Sequence, residues 1–249
     1  MTIISKDHPR YISLVTRNKI IDGVNIGITS MHGLIAQGRG EAFDYLIGEH
    51  TTESAMHAQR CAIAYILLAK NPIISVNGNA AALVPKDIAD LSNITGAIIE
   101  INLFHRSEER IEKIIKHLKL YGAKRVIGNK GDAIIPLKHD RGIIEKEGIK
   151  IADVVLVPLE DGDRCEMLIK LGKKVITIDL NPMSRTAQAS TVSIINNITR
   201  AIPDMVQIAK ELKHKEKNEL MEIINSYGNN IILSCAIDEI YKNLNEQKK

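Results

Sequence analysis

The chain of 249 residues has no tryptophan, two phenylalanines and only 3% aromatic residues. A nucleic-acid surface is expected to show basic runs interleaved with aromatics, and none is present. The formal net charge of +3 is too small to argue for attraction to a polyanion or to a charged membrane. No apolar run approaches the length of a membrane span, and the N-terminal MTIISKDHPR lacks the apolar core of a signal peptide. Cysteine is scarce as well. Cys61, Cys165 and Cys235 are odd in number, far apart and free of metal-type spacing, which argues against a disulfide framework and points to a reducing cytoplasm. The expectation is a cytoplasmic protein with no nucleic-acid and no membrane partner.

Two nucleotide fingerprints are missing too. The pattern G-x-x-x-x-G-K-[ST] does not occur, and GRGEAF places Phe43 where G-x-G-x-x-G needs glycine. A nicotinamide dehydrogenase or an ordinary phosphate-loop enzyme is therefore disfavoured. Ser184 has no recognisable base partner for a nucleophilic triad. His8, His32 and His105 are not spaced as a metal triad and read as structural or hydrogen-bonding groups.

What is present is an ordinary globular composition, 45% hydrophobic and 25% charged. Residues 8–28 read as a helix, followed by the Gly-rich connection SMHGLIAQGRG, a short helix EAFDYLIGE and a long one, ESAMHAQRCAIAYILLA. The long helix is capped by Thr51 or Thr52 and ended by Asn71-Pro72. From residue 72 short β-branched runs alternate with helical periods, with strands at 73–76, 96–102, 125–128, 152–157, 174–178 and 191–195. Most are apolar throughout, as expected when helices cover both faces of a sheet. The reading is one compact α/β unit (residues 1–249), a doubly wound, mainly parallel sheet of about six strands. Residues 1–70 are a helical addition, 72–200 the core, and 201–249 the C-terminal helices. The last of these carries an apolar stripe of Ile231, Ile232, Ala236, Ile237, Ile240, Tyr241 and Leu244, read as packing on its own domain.

In an open parallel sheet, ligands sit beyond the carboxyl ends of the strands, and polar residues gather at all six ends. Asn77 and Asn79 follow the first; Asn102, His105 and Arg106 the second; Lys130 and Asp132 the third. Glu160, Asp161, Asp163 and Arg164 follow the fourth; Asp179, Asn181, Ser184, Arg185 and Thr186 the fifth; Asn196, Asn197 and Thr199 the sixth. Any one cluster is readily explained by turns and helix caps. Six together, with Arg106, Lys130 and Arg185 among them, favour one broad polar site. Arg39 within QGRGE suits a phosphate, with Gly38 and Gly40 allowing close backbone approach to a helix starting at Glu41. The acidic EDGD run is open between a solvated loop, a Mg²⁺ site and an ammonium site.

The runs HPRYISLVTRNKIIDG, GLIAQGRGEAFDYLIGE, PIISVNGNAAALVP, EINLFHRSEER, ADVVLVPLEDGDR and VITIDLNPMSRTA together resemble the archaeal phosphopantothenate synthetases, the 4-phosphopantoate–β-alanine ligases of coenzyme A biosynthesis. The likeness runs from about residue 6 to about 205, with Gln37 departing from the histidine expected before Gly-Arg-Gly. It implies a homodimer with a Rossmann-like fold that joins 4-phosphopantoate to β-alanine, converting ATP to AMP and pyrophosphate with Mg²⁺. It also implies ATP contacts from Arg17, Arg39, Asp179, Leu180, Asn181, Arg185, Thr186, Asn197 and Ile198. Asn77 and Asn79 are expected at the acid substrate, and Arg106 and Lys130 at its anionic groups. Glu160, Asp161 or Asp163 would serve the amine or the metal. A non-catalytic nucleotide-binding regulator of the same fold is the alternative.

Overall fold

The structure is a computed structural model that describes residues 4–159 and 161–247. Its centre is a six-stranded parallel sheet built from β1 (Pro72–Val76), β2 (Ile98–Ile101), β3 (Val126–Ile127), β6 (Val154–Pro158), β7 (Lys174–Ile178) and β8 (Val192–Ile194). The spatial order is β3-β2-β1-β6-β7-β8, so the chain winds outward from β1 to one edge, then returns beside β1 and winds to the other. The reversal between β1 and β6 is a topological switch point, where two crossovers leave in opposite directions and open a crevice above the strand ends.

Alternation along each strand sends side chains to both sheet faces, and both are covered. Ile74, Leu156, Ile176 and Ile194 join the larger core, under α3 (Glu53–Leu68), α5 (Pro85–Thr95), α6 (Glu108–Leu120) and α9 (Ile198–Leu212). Ile73, Val155, Val157 and Val175 pack on the opposite face against Cys165 and Leu168 of α7 (Gly162–Lys170). This double burial is why these strands read as continuous apolar runs. A third cluster joins Ile47 at the end of α2 (Met31–Ile47), Leu180, Ala187 of α8 (Arg185–Ala189), and Leu233 and Ala236 of α11 (Asn229–Glu246). The remaining α-helices among the described residues are α1 (Tyr11–Asn25), α4 (Gly78–Leu83) and α10 (Lys217–Asn225).

The six expected strands all form, and Thr52 caps α3 by accepting from the Ala55 N–H at 3.1 Å. Two expectations need correction. SMHGLIAQGRG is not a connection: α2 starts at Met31 and runs through it, so Arg39 lies mid-helix and no helix begins at Glu41. Interior glycines weaken a helix by about 1 kcal/mol each relative to alanine and blur its periodicity. At Gly33 packing demands the glycine, because a Cβ there would stand 2.2 Å from Asn79 Oδ1. The closing stripe is only half covered. Ile232 and Ala236 are buried and Ile240 packs on the third cluster, whereas Ile231, Ile237, Tyr241 and Leu244 are exposed.

Between β3 and β6 an insertion forms a small antiparallel hairpin, β4 (Ala133–Ile134) with β5 (Ile143–Ile144), too short to carry a readable period. Two buried carboxylates fasten it to the sheet. Glu100 of β2 accepts from the backbone N–H groups of Glu145 (3.1 Å) and Ile149 (2.6 Å), and Glu145 accepts from those of Gly128 (2.7 Å) and Lys130 (2.9 Å). Burial pushes Glu100 up to about 7, against the opposing pull of those N–H groups and of Arg164. Because its folded-state value lies above the unfolded one, the stability tied to this proton is present at low pH and lost as pH rises through about 7. The loss amounts to about 3 kcal/mol. A carbon-13 carboxyl titration should give Glu100 a midpoint near 7; a midpoint near the ordinary glutamate range would remove this linkage.

Candidate active site at the strand ends

The crevice above the switch point is a cavity of about 810 Å³. At the end of β1, Asn77 caps α4, its Oδ1 accepting from the Ala80 N–H at 2.9 Å. Its amide donates across the switch point to the carbonyls of Pro158 (3.2 Å) and Leu159 (3.3 Å). Leu159 has φ of +60°, a costly conformation for so bulky a residue, and these bonds help hold it. Asn79 donates to the Gly33 carbonyl at 2.9 Å and accepts from the Thr29 hydroxyl. Both asparagines line the cavity, but their amides are engaged in clasping α4 to β6 and α2.

Beyond β2, Asn102 grips the insertion. Its amide donates to the Arg141 and Ile143 carbonyls, both at 3.1 Å, and its Oδ1 accepts from Arg141 Nε at 3.1 Å. Arg141 is thereby aimed into the cavity, where its Nη1 meets Asp161 Oδ2 at 2.7 Å. Two residues away, His139 Nε2 meets Asp163 Oδ2 at 3.0 Å, and Phe104 stacks on His139 with ring centroids 4.9 Å apart. Burial works to raise the Asp163 carboxyl, but the His139 hydrogen bond and the Arg164 N–H outweigh it and hold it below the usual aspartate value. Glu160 lies outside the described residues.

At the end of β7, Asp179 accepts from the Asn181 N–H (2.9 Å) and the Ser184 hydroxyl (2.5 Å), and Ser184 caps α8 through the Ala187 N–H at 2.9 Å. Burial raises Asp179 above the ordinary value, against those two bonds and the Arg39 charge. Arg185 pairs with Glu166 at 2.9 Å. A Cβ on Gly162 would stand 2.8 Å from Arg185 Cβ, so that glycine lets the starts of α7 and α8 approach. Beyond β8, Asn197 caps α9 through the Thr199 N–H at 3.1 Å and donates to Asp44 at 2.7 Å. Asp44, buried on α2, also binds Arg200 through both carboxylate oxygens. Arg39, Gly40 and Phe43 close the cavity from α2.

The cavity thus brings together Arg39, Asn77, Asn79, Asp161, Asp163, Asp179, Leu180, Asn181, Arg185, Thr186, Asn197 and Ile198. Three expected residues are not brought to it. Arg17 pairs with Glu41 at 3.0 Å beside an adjoining hollow of about 380 Å³ between α1 and α2. Arg106 donates to the Gly128 carbonyl at 2.6 Å, and Lys130 pairs with Glu147 at 2.6 Å. The last two stand near the end of β3, at the sheet edge away from the switch point. Reading from sequence missed Arg110 and Arg141. The first was findable, because it closes the run EINLFHRSEER one turn after Arg106; the second sits in an aperiodic insertion.

Chemically this is an anion site with an acidic wall. Arg39, Arg110, Arg141 and Arg185 line it, and helices α2, α7 and α9 start at it with the positive ends of their dipoles. Among the described residues, no three His, Cys, Asp or Glu side chains gather as a metal site.

The family model for phosphopantothenate/pantothenate synthetase matches residues 54–243. The 4-phosphopantoate–β-alanine ligase of Methanosarcina mazei is 57% identical, over 98% of this chain and 96% of its own. Those of Thermococcus kodakarensis (52% identical, 95% and 92% covered) and Methanospirillum hungatei (51%, 91% and 93%) are similar along nearly the whole length. A doubly wound sheet, polar strand ends converging on one crevice and these full-length likenesses agree: the chain belongs to the phosphopantothenate/pantothenate synthetase family.

Proposed function

We propose that the chain joins 4-phosphopantoate to β-alanine, with ATP converted to AMP and pyrophosphate through an acyl-adenylate, in coenzyme A biosynthesis. The observation that carries this is the convergence of cations, helix starts and three aspartates on one cavity. A carboxylate oxygen attacks the α-phosphorus of ATP, and the bond to the pyrophosphate oxygen breaks. The β-alanine nitrogen then attacks the acyl carbon, the bond to AMP breaks, and a proton leaves the nitrogen. Repulsion among the anions is the main obstacle to the first step, so preorganised positive groups do most of the work. No protein nucleophile is required, and positioning supplies much of the rest.

ATP is assigned to the β7–β8 side, with Asp179, Leu180 and Asn181 at the nucleoside and Arg39, Arg185, Thr186, Asn197 and Ile198 around the phosphates. Asp163, held ionised by His139 and Arg164, suits the ammonium group better than it suits proton acceptance. Mg²⁺ commonly takes one or two carboxylates and completes its shell with substrate phosphates. Asp161 and Asp163 are in reach for that role, the ion arriving with ATP. A homodimer fits the exposed apolar side of α11. A cytoplasmic setting suits such a biosynthetic step and three unbridged cysteines. Among the described residues no helix is long and apolar enough to cross a membrane.

The test is phosphorus-31 spectroscopy of the protein with ATP, Mg²⁺, 4-phosphopantoate and β-alanine. AMP and pyrophosphate should accumulate only when both co-substrates are present. ADP and orthophosphate would mean an acyl-phosphate route instead, and ATP binding without turnover would leave a nucleotide-binding regulator.

A further inference from the structure

A buried ion pair adds little to stability, because desolvating both charges offsets most of their attraction; what it supplies is direction. The pair formed by Asp44 and Arg200 directs two helices at once. Asp44 is buried on α2, next to Phe43 of the cavity wall, and Arg200 lies in the first turn of α9. The Asp44 carboxylate receives both arms of the Arg200 fork and, at 2.7 Å, the Asn197 amide. Arg200 Nε continues to Asn196 Oδ1 at 3.1 Å, and the Asn196 amide donates to Thr51 and Gln59, both at 3.0 Å.

This arrangement gives the Asn197 amide a single orientation. Its Oδ1 accepts from the Thr199 N–H (3.1 Å) and hydroxyl (2.9 Å) while its nitrogen meets Asp44. A flip would set donor against donor and oxygen against carboxylate. The same carboxylate also pins α2. That helix is fastened at Gly33 to Asn79 and at Asp44 to the start of α9, with Arg39 between the two on the side facing the cavity. The pins stand about 16 Å apart along the helix axis, so turning α2 to swing Arg39 aside breaks one or both.

We propose that Asp44 is a positioning residue for the nucleotide: without touching it, the carboxylate aligns the Asn197 amide, the start of α9 and the Arg39 guanidinium on one phosphate chain. Placing ATP there rests on the proposed function. The sign of the effect separates alignment from simple electrostatics. A carboxylate behind an anion site repels the anion, so removing its charge would tighten ATP binding if charge alone mattered. Loss of alignment weakens binding instead.

The experiment measures ATP affinity by calorimetry with Mg²⁺ present, beside thermal melts and KM values, for two variants. Asp44→Asn keeps the shape but turns an amide toward the Arg200 fork, so the melting temperature should fall. The Kd for ATP should rise about 10-fold, the scale of a small misplacement of binding groups. KM for 4-phosphopantoate should stay within about 3-fold. Asp44→Leu with Arg200→Met removes both charges, and an apolar pair of similar volume holds stability better than a broken ion pair. Its melting temperature should recover toward that of the wild type while ATP affinity stays about 10-fold reduced. Affinity that recovers together with stability would make the role structural only and overturn the proposal. Unchanged or tighter ATP binding in Asp44→Asn would overturn it too, as would a loss confined to the acid substrate. If Asp44→Asn does not fold, the apolar pair decides alone. Calorimetry needs no turnover, so weakened ATP binding in a protein that makes no amide would sink the ligase reading and leave the role of Asp44 standing.

Discussion

Gly78→Ala is expected to lower the melting temperature by roughly 5–10 °C, which is about 3 kcal/mol for a chain of this size, and to abolish turnover. Gly78 opens α4 directly after β1, at the centre of the switch point. A Cβ there would stand 2.2 Å from the Ile28 carbonyl oxygen and 3.0 Å from Thr29 Cα. Both are backbone atoms, so no rotamer change relieves the clash; the chain leading into α2 must move. That carbonyl also accepts from Arg110 Nε at 3.2 Å, so the displacement reaches the cavity wall. Gly33→Ala should act from the other side, by pushing Asn79 away from Thr29 and the Gly33 carbonyl. Gly38 is the control. It lies in the same helix with nothing within 4 Å of a built Cβ, so Gly38→Ala should stabilise by about 0.5 kcal/mol. Thermal melts of the three variants check the argument. A Gly78→Ala protein as stable and active as the wild type would show that the α2–α4 clasp is not what shapes the cavity.

The same residues explain which parts of the molecule were legible in the sequence. The strands of the main sheet could be read because both faces of the sheet are buried, which leaves runs such as VVLVP with no polar interruption. Helix α2 could not, because the glycine that the Asn79 clasp requires and two more at 38 and 40 imitate a loop. The cavity residues beyond β7 and β8 could be read because Asp179, Ser184 and Asn197 do two things at once. They build the tight turns after β7 and β8, which marks them in sequence, and they line the cavity. Sequence position points to Arg106, which lies nearer the strand end than Arg110. The start of α6, capped by Ser107 through the Arg110 N–H, turns the later arginine back toward the crevice instead. Arg141 reaches the site on a hairpin whose strands have two residues each, and its direction is set by Asn102, distant in sequence. No local pattern carries that information.

Arg39→Ala is expected to reduce turnover by about 100- to 1,000-fold, the scale seen when one preorganised hydrogen-bond donor is removed from a developing anion. Its effect on stability should be close to nil, and the contrast between the two is the informative part. Arg39 is exposed on the cavity side of α2, and among the described residues it makes no hydrogen bond or ion pair. Removing it breaks no hydrogen bond and takes from Asp179 only a distant opposing charge, and alanine is the better helix former at a mid-helix position. Arg185→Ala is the instructive comparison, because Arg185 already pairs with Glu166 at 2.9 Å. Its loss frees that carboxylate as well as removing a cation, so its effect on rate mixes two causes. The decisive measurement is a rate of acyl-adenylate formation in a single turnover, alongside a thermal melt, for Arg39→Ala and Arg39→Lys. If Arg39 stabilises charge at the transferring phosphorus, adenylate formation should slow in the alanine variant, with partial recovery in lysine, which keeps the charge and loses the fork. Slowing confined to the amide-forming step would move Arg39 to the second half-reaction, and an unaltered rate in both steps would place it outside the chemistry.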